Sequence, residues 1–142
     1  MTDPANPYQS KISFTYDGFG RQVTVDNAGT TLVPYVLLTN TFDADSNRTR
    51  LDDSLGGVVT TAYDLADEPT QITQTGTGVT PKQVNLSYNA AGQFSSIQRY
   101  QGPTLMTQAN HTYDSAGRLV QLRHDNPVGT LVTSYALGYD PG

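Results

Sequence analysis

Tyr113-Asp114-Ser115-Ala116-Gly117-Arg118-Leu119 spells a strand end, a turn and the start of a second strand. The β-prone run Ala109-Asn110-His111-Thr112 leads into a tyrosine suited to a pleated, half-buried position. Asp114 can accept a backbone N–H two residues on and so open a turn. Gly117 supplies the positive φ that tight reversals need. Arg118 then starts a returning run, Leu119-Val120-Gln121-Leu122.

The same pattern recurs along the chain. Tyr16-Asp17-Gly18-Phe19-Gly20-Arg21 is nearly a copy, and Tyr88-Asn89-Ala90-Ala91-Gly92-Gln93 is close. Phe42-Asp43 and Tyr63-Asp64 begin looser copies, and Tyr139-Asp140 begins a sixth. The leading aromatics are separated by 26, 21, 25, 25 and 26 residues. A period this regular is the signature of a repeat architecture, each repeat being one supersecondary unit.

Aligning the copies on the aromatic exposes a period of two. Four residues before it stand Ile12, Leu38, Val59, Val84, Ala109 and Tyr135, and the positions between are mostly Ser, Thr and Asn. Nine residues after it stand Val25, Leu51, Ile72, Ile97 and Leu122, all apolar. Such alternation predicts strands with one apolar and one polar side. Clusters of Gly, Pro, Asn and Asp, such as Asp26-Asn27-Ala28-Gly29 and Asp125-Asn126-Pro127-Val128-Gly129, mark the far tip of each hairpin.

The predicted fold is therefore all-β, with consecutive antiparallel β-hairpins of about 25 residues in one curled, extended sheet. Residues 1–11 read as an N-terminal extension and residues 12–142 as the repeat domain, five repeats plus the start of a sixth. Two repeats depart from the pattern: Ser46 and Asp67 replace the turn glycine, and Asn40 and Thr61 occupy inward positions. A less regular sheet with a bulge is expected there. The 21-residue interval predicts a short tip near Gly56 and Gly57.

Composition narrows the function classes. The 142 residues are 36% hydrophobic and 15% charged, and the formal net charge is −5 with eight Lys plus Arg. That balance, without a basic cluster, argues against nucleic acid as a partner. There is no cysteine, hence no disulfide framework and no thiolate metal site. No run approaches the ~18 apolar residues of a membrane span, and Met1 to Pro7 lacks the features of a secretory signal. Asp43-Ala44-Asp45-Ser46-Asn47 opens like a calcium loop, but Arg48 and Ser54 stand where that loop needs Gly and Glu, so a plain turn is expected. His111 and His124 lack a nucleophile motif nearby, so no enzyme, metal or cofactor is expected.

The Tyr-Asp-x-x-Gly-Arg cores at residues 16–21 and 113–118, with the looser ones at 42, 63 and 88, resemble the YD-repeat, or RHS-repeat, family. On that resemblance the repeat-defining residues are Tyr16, Asp17, Gly20, Arg21, Phe42, Asp43, Tyr63, Asp64, Tyr88, Gly92, Tyr113, Asp114, Gly117, Arg118, Tyr139 and Asp140. The resemblance implies an arc of a spiralling β-sheet shell. In bacterial RHS proteins and the C components of ABC toxins such a shell encloses a toxin domain, and in teneurins it serves extracellular adhesion. The implied partners are the rest of a longer RHS-type chain or an enclosed protein, and the implied place is secreted or at the cell surface. A carbohydrate-binding or cell-surface adhesion module, using exposed tyrosines or the polar face, is the alternative. Unpaired edge strands predict self-association.

Overall fold

The structure, a computed structural model, describes residues 11–30 and 33–140. Eleven strands follow one another: β1 (Ile12–Tyr16), β2 (Gln22–Asn27), β3 (Leu37–Phe42), β4 (Arg48–Asp53), β5 (Val58–Tyr63), β6 (Pro69–Gly76), β7 (Val79–Tyr88), β8 (Phe94–Gln101), β9 (Thr104–Tyr113), β10 (Leu119–Asp125) and β11 (Leu131–Ala136). They form one antiparallel sheet in chain order, and no helix occurs among the described residues. The N-terminal extension lies outside the described residues except for Lys11, as do Pro141 and Gly142. The chain divides into two compact units, Met1–Thr61 with Gln74–Val79, and Ala62–Thr73 with Thr80–Gly142.

One turn is used throughout, and its chemistry is local. The Asp17 N–H donates to the Arg21 carbonyl at 3.0 Å and the Gly20 N–H to the Asp17 carbonyl at 3.0 Å. This is a three-residue hairpin loop closed by a residue in the left-handed region. The Asp17 carboxylate accepts from the N–H of Phe19 at 2.9 Å and of Arg21 at 3.0 Å. Asp43, Asp64, Asn89 and Asp114 repeat both side-chain bonds at the equivalent offsets.

The two departing repeats keep this turn. Ser46 and Asp67 adopt φ of 74° and 60°, matching Gly20 at 78°, Gly92 at 72° and Gly117 at 76°. The register shift at the turn is likewise general: it falls between Thr15 and Tyr16, Thr41 and Phe42, Ser87 and Tyr88, and Leu119 and Gln121. The irregularity expected at the departing repeats is thus shared by the regular hairpins at Tyr16, Tyr88 and Tyr113, because an αL residue closing the loop offsets one strand against the other. Polar side chains such as Asp tolerate αL better than β-branched ones do. Replacing Gly117 by Val should therefore lower stability by about 1–2 kcal/mol, and replacing it by Asp should cost distinctly less. Denaturant midpoints of the two variants check this order.

The same turn recurs at the opposite end of the hairpins, at two of the tips that clusters of Gly, Pro, Asn and Asp mark. Asp53 accepts from the N–H groups of Leu55 and Gly57, and Asn126 from those of Val128 and Thr130. A Cβ on Gly57 would run into the Asp53 carboxylate, so a side chain there would have to displace the group that holds the turn. The tip at Gly56 and Gly57 is not the shortest. Four residues separate β4 from β5, whereas two separate β6 from β7 and β8 from β9. The 21-residue interval comes instead from the strands, since β4 and β5 have six residues each while β7 and β9 have ten.

The alternation holds in both units, but it does not make a buried core. In the first, Phe14 faces Val25 and Val25 faces Leu38, while Leu51 lies between Asn40 and Val59. In the second, Leu86, Ile97, Ala109 and His124 follow one another across β7 to β10. Ala109, at 3% exposure, is the one buried apolar residue among those described, and Phe14 remains 50% exposed. A lone sheet can shield apolar side chains only from their in-plane neighbours; full burial needs a second layer.

Candidate functional site: clamps between neighbouring turns

The repeat-defining residues do more than shape their own hairpins. In the first unit the Arg21 guanidinium binds Asp17 Oδ2 through Nε at 2.7 Å, then reaches the next turn, where Nη1 donates to the Asp43 carbonyl at 2.9 Å and the Ser46 hydroxyl at 3.3 Å. It stacks over the rings of Phe19, at 5.2 Å, and Phe42, at 4.8 Å. Partial burial pushes the Asp17 carboxyl up, but the Arg21 side chain and the N–H groups of Arg21 and Phe19 outweigh it and hold the group below the usual carboxylate value.

The second unit repeats the device. Arg118 Nε binds Asp114 Oδ2 at 2.8 Å while its guanidinium lies 4.6 Å from the centre of the Tyr139 ring. The backbone N–H and guanidinium of Arg118 keep Asp114 below its ordinary pKa. Where Gln93 replaces the arginine, the amide does the same work: Asn89 holds its Oε1 at 3.0 Å, and its Nε2 donates to the Gly117 carbonyl at 2.7 Å.

The tyrosine hydroxyls complete the link in the opposite direction. Tyr88 donates to the Pro69 carbonyl at 2.9 Å, Tyr113 to Phe94 at 3.0 Å and Tyr139 to Leu119 at 2.9 Å. Each acceptor is the sixth residue after the preceding leading aromatic. Each of these tyrosines thus stitches its hairpin to the one before it. Burial, and then the charges of Glu68 and Asp64, raise the Tyr88 pKa, so its hydroxyl keeps the proton it donates. Each of these three hydroxyls has its proton committed to a backbone carbonyl.

The polar face of the second unit is also internally paired. Tyr100 donates to Gln98 at 3.1 Å, Gln98 to Gln108 at 3.0 Å, Gln108 to Asn110 at 2.8 Å and Asn110 to the Asp125 carboxylate at 3.1 Å. Arg123 closes the chain on the other Asp125 oxygen at 2.7 Å. The cross-strand register brings these residues together.

Asp43-Ala44-Asp45-Ser46-Asn47 forms the turn described above, with Asp43 Oδ1 committed to the N–H groups of Asp45 and Asn47. Among the described residues no group of three His, Cys, Asp or Glu is placed to hold a metal. No helix there is long and apolar enough to cross a membrane.

His111 lies opposite Leu122 and His124 opposite Ala109, on the apolar side of β9 and β10. His111 Nδ1 is buried without a hydrogen-bond partner, and the ring lies 6.4 Å from that of Phe94. Burial, then the neighbouring His124, pushes the His111 pKa below its ordinary 6.5. The unfolded chain therefore takes up this proton more readily than the folded one. Stability from neutral His111 is complete above pH ~6.5 and declines as pH falls toward the folded-state pKa. Urea midpoints measured from pH 7.5 to 5 should fall, and His111→Gln should flatten that part of the slope.

Comparison with known proteins agrees with this geometry. No curated protein sequence matches the chain. Among solved structures, the crystal structure of TcdB2-TccC3-Cdc42 superposes with a TM-score of 0.71 at 19% identity, covering 89% of this chain and 7% of that one. The Photorhabdus luminescens Tc holotoxin pore, in a TccC3 mutant form, gives 0.72 at 18% identity over 94% of this chain and 7% of that one. At these identities the likeness establishes the fold, and this chain spans only a small part of either structure's chain. A family model described as Teneurin YD-shell matches residues 34–141. That match takes in well over half of the sequence and every aromatic-led turn from Phe42 onward, so the chain belongs to the Teneurin YD-shell family of YD-repeat proteins.

Proposed function

We propose that residues 12–142 are a structural module, a segment of the β-sheet wall of a larger RHS-type protein, with no chemistry of their own. The observation that carries this reading is the clamp: each leading aromatic at 88, 113 and 139 is held by the preceding hairpin, so the construction extends by neighbour contacts. The side chains that elsewhere supply reactivity, the carboxylates of Asp17 and Asp114, are spent on their own turns and arginines. The half-exposed apolar side supports a role in which something further covers it.

In this reading the wall encloses or delivers a toxin domain, and the parent protein is secreted or displayed at the cell surface. Electron microscopy of the natural polypeptide that carries this segment tests it. A hollow particle enclosing protein density is expected. A solid globule, or a filament without an interior, would overturn the proposal.

A further inference from the structure

The chain has two histidines, and the sheet brings them side by side. His111 on β9 lies opposite Leu122 and His124 on β10 lies opposite Ala109, so the two are diagonal neighbours on one side of the sheet, about 7–8 Å apart. Ala109, two residues before His111, is the one buried apolar residue among those described, which puts the pair at the best-shielded point of the apolar side. Other repeats place different chemistry there. Two residues before the leading aromatic stand Phe14, Asn40, Thr61, Leu86 and Leu137, and eleven after it stand Asn27, Asp53, Gln74 and Arg99. None of those types ordinarily changes charge between pH 5 and 8, as histidine does.

The surroundings leave an added proton without a partner. An imidazolium donates from both nitrogens, yet His111 Nδ1 is buried with no hydrogen-bond partner. Strand alternation turns Arg99 of β8, Tyr113 of β9 and Tyr135 of β11 to the same side, and beyond Phe94 stands Tyr88 of β7. None of these is a carboxylate that could pair a cation. Asp125, next to His124 in sequence, belongs to the opposite side, where it is bonded to Asn110 and Arg123. Burial, and then the charge that His124 acquires, both disfavour the cation at His111.

We propose that His111 and His124 form a proton-operated latch, in which neutral rings hold β10 to β9 and a pair of imidazolium charges parts them. The device goes beyond the wall-segment reading and is independent of what the sheet encloses. Above pH ~6.5 the latch is shut. As pH falls through the folded-state value of His111 it opens, because the parted strands take up the protons more readily than the paired ones. The turn clamps of the first unit contain no histidine and stay shut.

Hydrogen exchange on the full chain at pH 7.5 and pH 5, each amide compared with its intrinsic rate at the same pH, tests this. The β10 amides are expected to lose roughly tenfold in protection at pH 5, the equivalent of one pKa unit, while β3 and β4 keep theirs. The double variant His111→Gln/His124→Gln should remove the difference, with circular dichroism at pH 7.5 checking that its sheet is intact. By NMR, the His111 ring should titrate at higher pH in His124→Gln than in the unmodified chain.

A uniform loss across both units, a β10 loss that survives the double variant, or a His111 titration unmoved by His124→Gln would each overturn the latch. If the double variant does not fold, the unmodified chain decides. A fall in β10 protection at the His111 midpoint supports the latch, and constant protection through that midpoint overturns it.

Discussion

Removing β9, β10 and β11 by truncation after Gln101 should lower the melting midpoint by roughly 10 °C or more, each kcal/mol being about 4–8 °C in a chain of that size. It should also abolish amide protection in β7 and β8. The reason is that this sheet has almost no core to fall back on. Ile97 packs beside Ala109, the one buried apolar residue among those described, and Gln98 is bonded to Gln108. Gln93 reaches the Gly117 carbonyl, and Tyr113 returns a bond to Phe94. All four links vanish together, and β8 becomes an open edge. In a linear array, stability is approximately a sum of repeat and nearest-neighbour terms, so the hairpin next to the cut suffers most. A truncated chain with an unchanged melt and unchanged exchange in β7 and β8 would contradict this account.

Tyr88→Ala is the point substitution expected to do most damage, about 3 kcal/mol. Two contributions are separable. The hydroxyl bond to the Pro69 carbonyl is worth about 1 kcal/mol, and Tyr88→Phe removes it alone. The remainder belongs to the ring, which lies 4.9 Å from Phe94 across the hairpin's own turn. Urea midpoints for the two variants should therefore fall in a ratio of roughly one to three. If Tyr88→Phe costs nothing, the bond between neighbouring hairpins is ornamental and the clamp loses its energetic basis.

Much of this was legible before any coordinates because its causes are local. An aromatic, an Asx residue, and a glycine three residues after it declare a hairpin loop, since the carboxylate or amide must find backbone N–H groups two and four residues on. The period-two alternation around each aromatic declares strands, since successive side chains leave a strand on opposite faces. Ser46 and Asp67 mark the limit of that reading. Their types suggest a different turn, but closure of the hairpin demands αL there and the flanking strands enforce it.

The clamp was not legible, although its tyrosines and arginines had been singled out. Nothing in the spacing says that Tyr113 reaches back to Phe94, or that Arg21 and Gln93 reach forward to the next turn; those contacts arise from the register of adjacent hairpins. The polar relay from Tyr100 to Arg123 was hidden for the same reason, its members being up to 27 residues apart in the chain, from Gln98 to Asp125.

The amino-acid sequence alone determined the hairpins, their period, the turn residues and the membership of a repeat class, because each depends on bonds spanning a few residues. Only the tertiary structure decided that the described apolar side chains stay largely exposed, and that tyrosine and arginine serve the neighbouring repeat. Those facts depend on which strands lie side by side and on what, if anything, packs above them, and pattern along one chain carries neither.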